Sequence, residues 1–220
     1  MIPLSDSSRR PLHVPVMTVL IILANAGVFL LELQGGDAFV NRWSAVPAHI
    51  TAGQDWITLL TSMFMHAGWI HILGNMVFFW AFGPQIEDLM GPLGFLVFYL
   101  LGGVVAMLAQ VYIQPTSSIP NLGASGAIAA VMGAFLVTYP RDRIRTIIFL
   151  GWFIDMEFIP AILLVGIWFL LQLLSQFLAV ATVQAGGVAY MAHIGGFLFG
   201  LIFNRLFESA SRRRRQGLGA

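Results

Sequence analysis

The sequence has no cysteine, which excludes disulfide frameworks, cysteine nucleophiles and thiolate metal sites together, while leaving the redox compartment open. It also has no lysine, so its 11 basic residues are all arginine. Charged residues of both signs make up only 10% of the chain, against about a quarter in a soluble domain. Arginine nearly balances acid, for a formal charge of +1. Nothing is left over to neutralise a nucleic-acid backbone, and nucleic acid is excluded as a partner. What is present is apolar: 58% of 220 residues are hydrophobic and mean hydropathy is +0.85. Because this content runs the length of the chain, it defines one polytopic membrane domain whose immediate partner is the lipid bilayer.

A bilayer core of about 30 Å takes about 20 apolar helical residues. Six such segments are predicted, near 14–31, 57–82, 93–113, 125–139, 158–180 and 188–207, and the expected fold is an all-α bundle of six transmembrane helices. The fourth is the exception. It runs from Ser125 to the residue before Pro140, and at about 1.5 Å per residue it is too short to cross from face to face. Orientation follows from the arginines. Arg9 and Arg10, then Arg141, Arg143 and Arg145, then Arg205 and the run Arg212 to Arg215 fall on one side of a six-span chain, with Arg42 alone on the other. Positive-inside reasoning puts both termini in the cytoplasm. The expected organisation is a cytoplasmic segment 1–13, a membrane domain 14–207 and a basic cytoplasmic tail 208–220. The two arginines and apolar run at the start imitate a signal peptide, but no small-residue cleavage site follows, so an uncleaved first span is expected. The connection 34–56, with Trp43 and Trp56, is expected in the outer interface.

Polar side chains inside spans are costly, and they carry the information here. In the second span, His71 and Asn75 stand four apart and share a helix face, whereas His66 is expected on the opposite side. The polar stretch 114–121 and Gly123-Ala124-Ser125-Gly126 put Ser125 at the start of the short fourth helix, below the outer surface, where irregular backbone must line protein or a cavity. Unpaired N–H groups and the helix dipole there favour developing negative charge. Read alone, Ser125 is an ordinary helix cap. In the sixth span, Gly196 and Gly200 form a small-xxx-small face, and His193 lies near it. If the neighbour is the fourth helix, the facing pair is Ser125 and His193.

An imidazole within reach of a serine removes its proton and later protonates a leaving amine. The usual carboxylate is missing: Glu87, Asp88 and Asp142 fall at cytoplasmic ends, and Asp155 and Glu157 just before the fifth span. The pattern therefore points to a Ser-His dyad, with the Ser125 backbone N–H and the His71 and Asn75 side chains as donors to an oxyanion.

These residues carry a resemblance. His66-xxxx-His71-xxx-Asn75, Gly123-Ala124-Ser125-Gly126 and Ala192-His193-Ile194-Gly195-Gly196 occur in the order found in rhomboid intramembrane serine proteases, and the likeness covers about 12–207. Each motif is weak alone, and together they are specific. The resemblance implies cleavage of single-span membrane proteins with Ser125 as nucleophile, His193 as general base, and His71, Asn75 and the Ser125 amide as the oxyanion site. It implies six helices with cytoplasmic termini; neither a cofactor nor a metal is expected. Two departures stand out. Many members carry Trp-Arg in the first outer loop where this chain reads Trp56-Ile57, and some carry a tyrosine, packed on the imidazole, where this chain has Ala129. That leaves the ring's support unassigned, with Tyr190 as a candidate. Glu87 matches an acidic position read as structural, bonding backbone at a helix end.

Three rival readings are open to test. A catalytically silent rhomboid-like protein that binds membrane clients typically lacks the serine or the histidine, and both are here. A transporter built on a broken helix predicts matching interruptions in two halves, and only one is found. A membrane metalloprotease predicts H-E-x-x-H, which is absent. A membrane of the bacterial cytoplasmic type is expected; substrate identity and oligomeric state are not legible.

Overall fold

The structure, a computed structural model, describes residues 1–150, 153–181, 189–209 and 212. The expected beginning of the last span at Val188 and the arginines at 213–215 lie outside the described residues. Helix dominates. Helix α1 (Val16–Trp43) is followed by short helices α2 (Pro47–Thr51) and α3 (Thr58–Thr61), a 3-10 turn (Ser62–Phe64), α4 (Trp69–Met90), α5 (Pro92–Ile113), α6 (Ser125–Thr138), α7 (Ala161–Ala181) and α8 (Tyr190–Phe207). Four of these, α1, α5, α7 and α8, are long and apolar enough to cross a membrane. Helix α4 has the length but carries His71, Asn75, Gln85, Glu87 and Asp88, and α6 has 14 residues. Large apolar side chains point outward, among them Ile70, Leu170, Phe177 and Ile202. Water would penalise such a surface, and lipid does not. The chain is an integral, multi-pass membrane protein.

The all-α expectation needs correction. A three-stranded antiparallel sheet is built from β1 (Ile2–Asp6), β2 (Arg143–Leu150) and β3 (Phe153–Pro160) in the order β1-β2-β3. Ile2 pairs with Ile147 and Arg143 with Pro160. The sequence of β2, RIRTIIFL, combines alternation with a β-branched run, a strand signal that a search for 20-residue apolar spans passes over. Two boundaries also move. The second span does not begin near Ile57; Thr58 to Phe64 form separate short turns, and the long helix begins at Trp69. The connection after the first span is largely helical, because α1 continues past Leu31 to Trp43 with one break at Gly36, whose φ of 55° a glycine tolerates.

Helix α6 is the axis of the bundle. Every residue from Gly126 to Phe135 is buried, which is possible because six of the ten are alanine or glycine and neighbouring backbones approach closely. The side chain that Gly200 lacks would lie 2.0 Å from the Ala130 carbonyl oxygen, the one Gly196 lacks 2.1 Å from that of Gly126, and the one Gly133 lacks 2.3 Å from that of Phe197. Helices α6 and α8 are in backbone contact along their length. On the side of the sheet, Glu87 accepts from the backbone N–H groups of Met17 and Thr18 at 2.8 and 2.7 Å and from the Thr18 hydroxyl at 2.7 Å. It caps the N-terminus of α1, where a carboxylate also complements the helix dipole. Strand β1 is held through Arg9, which pairs with Asp142 and lies 4.2 Å above the Tyr139 ring. Burial, with help from the neighbouring Asp142 carboxylate, pushes Asp6 up to about 6, while the Ser8 N–H works against that shift.

Candidate active site

Ser125 opens α6. It is the first helical residue, and the cap position belongs to Ala124, which makes no side-chain cap, so the reading of Ser125 as a simple helix cap fails. Its hydroxyl is turned to α8 instead. His193 Nε2 lies 2.7 Å from Ser125 Oγ. The close approach of α6 and α8, possible only at glycine, sets this distance, since His193 lies three residues before Gly196 and Ser125 one before Gly126. As a first-turn residue, Ser125 also has a backbone N–H with no partner inside the helix.

His71 and Asn75 enter from α4. A Cβ on Gly123 would fall 3.0 Å from His71 Cε1, 3.1 Å from its Nε2 and 3.6 Å from Ser125 Oγ, so the His71 ring and the serine hydroxyl meet over a residue with no side chain. Gly123 has φ of 135°, a conformation that favours glycine. The Ala67 N–H donates to His71 Nδ1 at 3.2 Å. A neutral ring that accepts at Nδ1 carries its hydrogen on Nε2, the nitrogen over Gly123. Asn75 Nδ2 is buried without a hydrogen-bond partner among the described residues, which is costly unless the group has a use.

His66 is not where helix periodicity puts it. It precedes α4, is buried at 1% exposure, and its ring stands edge-on to His71 with centroids 5.1 Å apart. Its backbone N–H donates to Glu32 of α1 at 2.9 Å. Extending the helical wheel back beyond Trp69 put it on the wrong side. The neighbours of the His193 ring were also missed. Trp168 of α7, rather than Tyr190, stacks obliquely at 5.8 Å, and Gln172 of α7 places Oε1 2.8 Å from His193 Nδ1. The available signal was Gln172 itself, the first polar side chain after eleven residues of α7. Among the described residues, no cluster of three metal-ligating side chains occurs. A cavity of about 20 Å³, room for roughly one water, opens beside Ser125 and is lined by Ser62, Met63, Gly103, Met107, Leu122 and Ala192.

The fold and site thus define a helical membrane protein with a serine and a histidine joined across two closely packed helices. Residues 53–209 match the family model for the rhomboid domain, and the chain belongs to the rhomboid family. It is 25% identical to Rhomboid protein 1, mitochondrial, of Saccharomyces cerevisiae over 189 residues, covering 79% of this chain and 49% of that one. It is 34% identical to Rhomboid protease GluP of Bacillus subtilis over 125 residues, 54% of this chain and 24% of that one. With RHOMBOID-like protein 12, mitochondrial, of Arabidopsis thaliana it shares 31% over 193 residues, 80% of this chain and 54% of that one. The chain spans about half or less of the length of these relatives.

Proposed function

We propose that this chain is an intramembrane serine endopeptidase that cleaves single-span membrane proteins with a Ser125-His193 dyad. The observation that carries the reading is the 2.7 Å contact between His193 Nε2 and Ser125 Oγ, the geometry a general base needs. The serine oxygen attacks the scissile carbonyl carbon as its proton passes to Nε2, and the imidazolium then protonates the departing amine. Water, deprotonated by the same ring, hydrolyses the acyl-enzyme. The oxyanion is received by the Ser125 N–H, by His71 Nε2–H, which the contact at Nδ1 leaves protonated, and by Asn75 Nδ2, which has no hydrogen-bond partner among the described residues. The reading needs no metal or cofactor. The cavity beside Ser125 supports a small residue at the cleavage point.

In this reading α1, α4, α5, α6, α7 and α8 are the six spans, α6 stops short of the outer face, and cleavage occurs toward that face. The arginines put residues 1–13, the sheet and the tail 208–220 in the cytoplasm. The membrane we assign is a bacterial cytoplasmic membrane. Relatives include proteins named mitochondrial and chloroplastic as well as one from Bacillus subtilis.

The test is a fluorophosphonate probe on detergent-purified protein. Labelling at Ser125, lost in Ser125→Ala and His193→Ala together with cleavage of a membrane substrate, supports the dyad. A folded protein that never labels, or a Ser125→Ala variant that still cleaves, overturns it and favours client binding or transport.

A further inference from the structure

Most of α7 faces outward: Ile167, Leu170, Leu171, Leu173 and Leu174 are all exposed. Gln172 interrupts this run. An uncharged amide in such a helix carries a desolvation cost that a specific partner offsets. That partner is the nitrogen of His193 that does not face Ser125: Gln172 Oε1 lies 2.8 Å from Nδ1, while Nε2 lies 2.7 Å from Ser125 Oγ. Trp168, one helical turn before Gln172, stands beside the same ring.

An amide oxygen only accepts, so a nitrogen bonded to it must donate. We propose that Gln172 is the positioning residue of the dyad: its side-chain carbonyl accepts His193 Nδ1–H and thereby keeps the Nε2 lone pair on the Ser125 hydroxyl. This rests on the dyad reading above and adds what orients its base. The proton balance is simple. In the resting state the ring's one hydrogen is on Nδ1 and bonded to Gln172. On attack the Ser125 proton goes to Nε2, and the Nδ1–H bond to the amide strengthens as the ring becomes cationic. When Nε2 gives its proton to the leaving amine, the original tautomer is restored without transfer to Gln172. A carboxylate would serve the same geometric purpose, but an isolated charge on a lipid-facing helix costs far more than a neutral amide. Among the described residues, the other polar groups near the ring, Ser125 and His71, come from α6 and α4 and leave Nδ1 to Gln172.

The experiment has a spectroscopic and a kinetic arm. In the intact protein labelled with 15N-histidine, His193 is assigned as the signal pair lost in His193→Gln. The expected spectrum at neutral pH has a protonated Nδ1 and a bare Nε2; a protonated Nε2 overturns the proposal, whatever the variants do. In the kinetic arm, Gln172→Leu keeps the volume and removes the acceptor. It should lower kcat and the rate of fluorophosphonate labelling about 10- to 100-fold with KM within about twofold, as expected when a general base loses its preferred tautomer. Gln172→Glu restores an acceptor and should recover most of the labelling rate, while moving the acidic limb of kcat/KM to higher pH. Wild-type kcat and an unchanged pH profile in both variants overturn the proposal. If that happens while Ser125→Ala remains inactive, the dyad stands and only the role of Gln172 falls; an active Ser125→Ala removes the dyad itself.

Discussion

Gly196→Ala tests whether backbone contact between α6 and α8 sets the Ser125–His193 distance on which the proposed dyad depends. The added methyl carbon would sit 2.1 Å from the Gly126 carbonyl oxygen and 3.3 Å from the Ala106 side chain, where ordinary contact begins at 3.4 Å. The obstruction is backbone, which no rotamer change relieves, so the helices must part by about 1.3 Å. If that displacement is carried along α8 to His193, less than one turn away, the 2.7 Å contact with Ser125 opens to about 4 Å, outside hydrogen-bond range. Displacements of about 1 Å at a reacting pair cost about 100-fold, and over-packing should remove about 1–3 kcal/mol of stability. The assay is steady-state cleavage of a membrane substrate in proteoliposomes, run well below the thermal-unfolding midpoint measured on the same preparation. A kcat reduced about 100-fold in a protein that is still folded at the assay temperature is the expected result. Wild-type kcat with an unchanged midpoint would refute the reasoning, since it would mean that the dyad does not depend on the glycine contact.

Asn75→Ala and His71→Ala should each lower kcat by about 10²- to 10³-fold with little change in KM, as for the loss of one oxyanion donor; equal kcat in steady-state assays of both would remove them from the site. Glu87→Ala removes three hydrogen bonds at the start of α1 and should cost about 3 kcal/mol in detergent unfolding, at about 1 kcal/mol or more per bond, with Glu87→Gln milder; an unchanged midpoint would refute the cap. Asp6, pushed up to about 6, binds its proton more tightly folded than unfolded, so its contribution is favourable at pH 4–5 and fades as pH rises through about 6. Asp6→Asn keeps an oxygen for the Ser8 N–H and should therefore raise the melting temperature at pH 7.5 while flattening its dependence between pH 5 and 7. A lower midpoint at pH 7.5 would show that the ionised carboxylate is stabilising.

Long apolar runs, a deficit of charge and the side-chain chemistry of a few polar residues are properties of the chain itself. For this reason the multi-pass membrane class, the short helix that begins at Ser125, and the small-residue face of α8 at Gly196 and Gly200 are legible without a structure. The juxtaposition of Ser125 and His193 was legible as a condition: if those faces meet, those side chains meet. Tertiary structure supplied what no local pattern encodes. Strand β2 pairs with residues 2–6 across more than 130 residues of chain, whereas its pairing with 153–160 joins neighbouring segments. His66 came to the edge of His71 because the chain turns before Trp69, which helical periodicity ignores. Gln172 reached the His193 ring because α7 docks on α8, and a search confined to carboxylates had no reason to stop at an amide. Sequence fixes which groups are too costly to leave without a purpose in lipid; only packing decides which of them touch.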